Sequence, residues 1–293
     1  MSELAPVREW PNPIARAFEE ACRDELEAPK PGNVHVFADG HRMTVTDFER
    51  SAAAAVRPLT AAGQRIGARI LGAVEASFAA VKSNTNLGII LLCAPLAAAA
   101  ETLPVDLQSS LAQALQRLDR DDAELAFRAI ARASPGGLGR VEHHDVFMPA
   151  TVTLGEAMAE AAGRDRIALQ YVTDFSDVFD LGEPLLAAAL AASPDRRLAT
   201  LAVYLGFLAA FPDSHIIRKH GRTVAEQICR EASKLSTQAR TASRLEDVLR
   251  DVLVWDATLK QASINPGTSA DLTVATIFAH RLRSILPTAG NND

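Results

Sequence analysis

Five aspartates carry the acid–base and metal chemistry that this chain could perform. Asp47, Asp213 and Asp271 could act as general bases toward a substrate hydroxyl. Asp122, Asp145 and Asp213 could hold Mg²⁺, because carboxylate oxygens suit that hard ion and often share it with substrate phosphates. Lys30, Arg218 and Lys219 could neutralise phosphates, and His215 and Lys219, one helical turn apart, could grip one anion together. Gly32, Gly136, Gly137 and Gly267 would let the backbone approach a ligand where a Cβ would collide. Each has an ordinary role as well: Asp47 and Asp122 as helix caps, Asp145 as a loop acid, Lys219 as a solvated charge at a helix C-terminus.

These residues fall in polar, glycine-bearing knots over 30–35, 83–88, 134–139, 213–221 and 265–271, at the ends of apolar segments. The knot Ser83-Asn84-Thr85-Asn86-Leu87-Gly88 runs straight into an apolar run. A buried helix needs one capping side chain, whereas here hydroxyls and amides stand in a row, and a helix start with free N–H groups can face an anion. Knots at helix ends can be pieces of one ligand site. Adjacent His143-His144 with Asp145 match no zinc spacing, and Pro135-Gly136-Gly137-Leu138-Gly139 lacks the lysine and the preceding strand of a phosphate loop.

Helices must position the knots. After an irregular lead-in over 1–13, Ile14, Ala17, Phe18, Ala21 and Cys22 recur with helical spacing, predicting a helix over 14–26 that Pro29 and Pro31 break. The excursion over 34–46, with His35, Asp39 and His41, reads as a surface loop. Further helices are expected over 47–60, 63–82, 104–118, 121–133, 165–182, 184–192 and 196–211. One more begins near Thr151, and another starts at the 83–88 knot and kinks or ends near Pro95. Two helices share 224–259, and a last one runs from the 265–272 knot to Ile285. No repeat or linker interrupts the chain, so residues 14–293 read as a single all-α, bundle-like domain of about a dozen helices.

Composition agrees with that class. Hydrophobic residues make up 48% and aromatics only 5%, an apolar mass of small and aliphatic side chains that favours close helix packing. A net charge of −6 argues against nucleic-acid binding through a broad basic surface. Cys22, Cys93 and Cys229 make no metal or redox spacing and read as thiols of a reducing cytoplasm. The longest apolar run, over 87–100, is too short to span a bilayer, and no membrane partner is expected.

Taken in order, the knots resemble those of the triphosphoribosyl-dephospho-CoA synthase family over most of 14–285. Lys30-Pro31-Gly32-Asn33-Val34 is similar to the family's Lys-Pro-Gly-Asn-Val, Asp47-Phe48 through Ser51 to its Phe-x-x-Ser helix, and Asn84-Thr85-Asn86-Leu87-Gly88 to its Asn-Thr-His-Lys-Gly. The 134–139 knot, Pro212-Asp213-Ser214-His215 and Asn265-Pro266-Gly267-Thr268-Ser269-Ala270-Asp271-Leu272 supply the rest. The resemblance implies an all-α transferase that moves the triphosphoribosyl group of ATP to 3′-dephospho-CoA with Mg²⁺ and releases adenine. It adds Asn33, Ser51, Asn84, Thr85, Asn86, Gly88, Asn265 and Ser269 to Lys30, Gly32, Gly136, Gly137, His215, Lys219 and Gly267 as ligand-binding positions.

The chain departs from the pattern at Asn86 and Leu87, which replace an imidazole and a cation, and at Gly40-His41-Arg42-Met43, which lacks an acid. The Asn-Thr-Asn-Leu-Gly form resembles a divergent branch linked to tetrahydromethanopterin metabolism. A pterin or phosphoribosyl acceptor therefore stays open, as do a non-catalytic nucleotide-binding role and a homodimer.

Overall fold

The structure, a computed structural model, describes residues 4, 8–10, 12–40, 43–102, 106–134 and 144–285. Among them the fold is all-α: α1 (Pro13–Glu27), α2 (Val45–Leu59), α3 (Ile66–Val81), α4 (Leu87–Glu101), α5 (Leu107–Gln116), α6 (Arg120–Ala133) and α7 (Leu154–Ala161). There follow α8 (Arg166–Val172), a π-helical turn (Asp177–Gly182), α9 (Glu183–Ala192), α10 (Arg196–Ala210), α11 (Ser214–His220), α12 (Arg222–Thr241), α13 (Glu246–Gln261) and α14 (Gly267–Ile285). Isolated β-bridges join His35 to Ala38 and Gly40 to Met43.

The chain divides into two compact units, one of Met1–Pro6, Ala21–Glu49 and Asp177–Ile277, the other of Val7–Glu20, Arg50–Ser176 and Phe278–Asp293. In the first, α10 and α12 supply Leu201, Leu205 and Leu208 against Ile228, Ala232 and Leu235, and Val252 and Leu259 of α13 close the same core. Alanines at 202, 225, 232 and 239, all buried there, let the helix axes approach. A smaller cluster of Leu26, Val34, Val36 and Val45 lies under the 34–46 excursion. Residues 28–36 are buried throughout, so the head of the excursion read as a surface loop, 34–36, lies inside the protein, whereas Asp39, Thr44 and Thr46 are exposed. The buried polar groups of 28–36 must therefore find partners inside the protein.

In the second unit α4 is apolar on every side and buried from Leu87 to Ala97, as an interior helix should be. It does not end at Pro95 but runs on to Glu101. Proline at 95 lacks the N–H that would bond the Leu91 carbonyl one turn back. The buried hydroxyl of Tyr171 donates to that carbonyl at 2.7 Å, which removes the cost of the missing bond. Arg69, fully buried, ties the α2–α3 connection through Leu59 O (3.0 Å), Gln64 O (2.9 Å) and the Glu101 carboxylate (2.7 Å).

The segment read as one helix over 165–182 breaks after Val172. Asp174 and Phe175 take positive φ (49° and 60°), and Phe175 N–H reaches back to Gln170 O at 2.9 Å before the π-helical turn begins. Periodicity alone did not reveal this, because Tyr171, Phe175 and Phe179 keep helical spacing across the break. No single helix among the described residues is long and apolar enough to cross a membrane.

Candidate functional site

Three of the knots meet in the first unit. Leaving α1, the chain turns at Pro31 and Gly32. Gly32 has φ +80°, and a Cβ there would stand 2.8 Å from both Ile264 O and Pro266 Cδ, so only glycine lets the 30–35 turn lie against the start of α14. Tyr204 of α10 donates its hydroxyl to Pro31 O at 2.6 Å. Asn33 binds its own turn through Val34 N–H (2.7 Å to Oδ1) and gives Nδ2 to Asn265 Oδ1 at 3.0 Å. The two asparagines, far apart in sequence, thus form one amide pair, with the sequence-predicted Lys30, Gly32 and Asn33 on one side and Asn265 and Gly267 on the other.

Lys30 takes a role that its residue type alone did not show. It is fully buried, and Nζ donates to Glu25 O and Val34 O, each at 2.7 Å, and pairs with Glu25 Oε1 at 3.1 Å. An ammonium has three donors, and all three are spent inside the turn. Lys30 is therefore a strut of the turn, and a phosphate could take its charge only by displacing one of these acceptors. Burial pushes the Lys30 ammonium down and the Glu25 carboxyl up, and the attraction between them opposes both shifts.

At the other end, Asp213 caps α11 and ties it to α14. Oδ1 accepts from His215 N (2.8 Å) and Ile216 N (3.2 Å), Oδ2 from Ser269 N (2.8 Å) and Ser269 Oγ (2.9 Å). A carboxylate has about four lone-pair directions, and protein donors fill them. Burial pushes the Asp213 carboxyl up, and the hydrogen bonds from Ser269, Ile216 and His215 oppose that. His215 is half-buried, its N–H shared with Thr268 Oγ1 at 3.2 Å, and its imidazole lies over Gly267. Lys219, one turn further along α11, is exposed. Asp271, half-buried, stands in the first turns of α14 two residues after Ser269. Asp47, also half-buried, closes a capping box at the start of α2, its Oδ2 accepting from Thr44 N (2.8 Å) and Thr44 Oγ1 (2.9 Å).

The sequence reading missed two residues here. Asp256 of α13 accepts from Gly32 N (2.8 Å) and lies 3.3 Å from His35 Nε2, while Lys260 donates to Asp256 Oδ2 (3.0 Å) and Ala38 O (2.9 Å). Their i,i+4 spacing inside an amphipathic run looks like any solvated helix pair, so sequence carried no signal. Burial lowers the His35 pKa to about 4. Burial also pushes the Asp256 carboxyl up, but His35 and Lys260 outweigh it and leave Asp256 below the ordinary carboxylate range.

The second unit holds a polar group at the start of α4. Thr85 Oγ1 donates to Ser51 Oγ (2.7 Å), Ser77 Oγ to Ser51 O (3.0 Å) and Asn86 Nδ2 to Ser77 Oγ (3.2 Å), while Asn84 Oδ1 accepts from Leu87 N (3.2 Å). Asn86 is the N-cap residue, and Leu87 and Gly88 are buried at the helix start. Asp122 closes the Asp119 capping box, accepts from Gly67 N at 2.8 Å and pairs with Arg65. Asp145 accepts from Phe147 N at 2.9 Å. Gly136 and Gly137 lie outside the described residues.

No group of His, Cys, Asp or Glu among the described residues forms a ready-made metal cage. Mg²⁺ does not require one, since it is commonly held by one or two carboxylates together with substrate phosphates. Asp47, Asp213 and Asp271 are carboxylates of the first unit, Asp122 and Asp145 of the second. Asp47, Asp122, Asp145 and Asp213 each accept from protein donors, which a bound Mg²⁺ would share or displace.

The all-helical fold and the polar turns at its helix ends are those of a family of transferases. The family model of the ATP:dephospho-CoA triphosphoribosyl transferases (CitG) matches residues 11–288, and the chain belongs to that family of transferases. The chain is also similar to the crystal structure of a protein from Archaeoglobus fulgidus described provisionally as a triphosphoribosyl-dephospho-CoA synthase. Identity is 27% and the TM-score 0.60, over 78% of this chain and 95% of that one. No curated protein matches the chain.

Proposed function

We propose that the enzyme transfers the triphosphoribosyl group of ATP to the ribose hydroxyl of 3′-dephospho-CoA, in a Mg²⁺-dependent reaction that releases adenine. The observation that carries the reading is the family match over 11–288, which contains every polar knot in order. In the first unit Asn33, His215, Asn265 and Ser269 bind substrate, and the acids Asp47 and Asp271 serve the acceptor hydroxyl and the metal. Mg²⁺, when bound, screens the triphosphate charge; Asp47 and Asp271 are the carboxylates that would share it with phosphate oxygens. Asp213 holds α11 and α14 in register and so fixes the positions of His215 and of the Ser269 backbone.

A second reading, with the same donor but a pterin or other phosphoribosyl acceptor, is favoured by one observation. Leu87 is buried at the start of α4 and Asn86 is tied to Ser77, so this stretch presents neither the imidazole nor the cation of the synthases it resembles. Incubation with ATP and Mg²⁺, with dephospho-CoA, with a pterin acceptor or with neither, decides between them by chromatographic detection of adenine. Adenine that depends on dephospho-CoA supports the first reading. Adenine formed only with a pterin acceptor moves the assignment to the second, and no adenine with either rejects both.

A further inference from the structure

The turn over 31–38 is clamped from behind by two residues one helical turn apart. Asp256, 3% exposed, takes the Gly32 N–H and the His35 ring on one oxygen and the Lys260 ammonium on the other. Lys260 reaches past Gly40 to Ala38 O and comes within 3.4 Å of His35 Nε2. The clamp thus holds the backbone at Gly32, the ring at His35 and the carbonyl at Ala38.

Its energetics point away from a purely stabilising role. An exposed i,i+4 pair is worth a few tenths of a kcal/mol, and a buried one is often matched or exceeded by apolar residues of similar volume. What this pair adds is geometry, because its hydrogen bonds end on the turn rather than only on each other. Between the clamped atoms lies Asn33, whose Nδ2 meets Asn265 Oδ1 at 3.0 Å. A displacement of about 1 Å in such a turn can cost about a hundredfold in rate if the turn holds a reacting group.

We propose that Asp256, supported by Lys260, is a positioning residue for the transfer reaction: it fixes the Gly32–His35 backbone and thereby the Asn33–Asn265 pair against the substrate. The inference rests on the assignment of that pair to the substrate site.

The test uses the full chain with ATP, Mg²⁺ and the acceptor that supports turnover. Asp256→Asn keeps the shape and removes the charge. The expected result is a folded protein whose kcat falls about 10- to 100-fold with KM for ATP changed less than about threefold, and whose 30–38 peptide exchanges its amide hydrogens faster. Lys260→Met should show the same loss in milder form, and Lys260→Arg, which can still reach the carboxylate, should recover most of it. If Asp256→Asn does not fold, the Lys260 pair decides alone. Wild-type kcat in folded Asp256→Asn, or equal kcat in Lys260→Met and Lys260→Arg, overturns the proposal. Asn33→Ala separates this from failure of the site assignment. If Asn33→Ala keeps full activity, the assignment itself fails; if it is inactive while Asp256→Asn is not, only the positioning role fails.

Discussion

Gly267 has no side chain in the place where the imidazole of His215 lies: a Cβ there would sit 2.6 Å from Nδ1. That one missing methyl lets α11 bring His215 onto the first turn of α14, against Gly267 and Thr268. Gly267→Ala should therefore displace the ring while leaving the helix intact, since alanine is the better helix former by about 1 kcal/mol. The expected outcome is a Tm close to wild type with kcat/KM lowered at least about tenfold. Wild-type kcat/KM in this variant would remove His215 from the site.

The Pro95–Tyr171 arrangement predicts a non-additive pair. Tyr171→Phe leaves the buried Leu91 carbonyl without a donor and should cost about 1–3 kcal/mol in urea unfolding. With Pro95→Ala the helix regains its own N–H for that carbonyl. The Tyr171→Phe penalty should shrink to below about 1 kcal/mol in the Pro95→Ala background.

Lys30 and Glu25 are predicted to behave as one structural unit. Lys30→Met strands a buried carboxylate and should cost about 3–5 kcal/mol, and adding Glu25→Leu should return only the part due to that carboxylate, since Glu25 O and Val34 O still lose their Nζ donor. ATP affinity of the folded double variant, measured by calorimetry, should stay within about threefold of wild type. A larger loss would mean that Lys30 reaches the phosphates after all.

Stability should depend on pH through His35. Its pKa is about 4 in the folded protein, below the ordinary value of 6.5, so the unfolded chain binds the proton first. The contribution is complete above about 6.5 and is lost as pH falls toward about 4, a window worth roughly 3 kcal/mol. Asp256 titrates lower still and contributes in the range below it. His35→Asn should flatten the slope between pH 6.5 and 4 in urea titrations. An unchanged slope would place the proton uptake elsewhere.

Helical periodicity made most of the fold legible. Residues such as Ile14, Phe18 and Cys22 face the core at the spacing the sequence shows, and the knots at 213–221 and 265–271 do sit at helix ends that meet. Periodicity could not show where long-range hydrogen bonds replace local ones. Nothing near Pro95 says that Tyr171 will complete the helix, and nothing in the local sequence says that Asp256 and Lys260 will bind Gly32 and Ala38. The same limit applies to the site. Residue type marked Lys30 and Asp213 as reactive, but could not show that burial and hydrogen bonds to the protein tie both into the turns around them.

The central claim is transfer of the triphosphoribosyl group itself, and the most direct measurement follows the ribose of ATP. With ATP carrying ¹³C in its ribose, Mg²⁺ and 3′-dephospho-CoA, the mass spectrum of the acceptor should show one labelled triphosphoribosyl group per molecule, matched by an equal amount of free adenine. An acceptor of unchanged mass, with ATP bound but its adenine retained, would contradict the account.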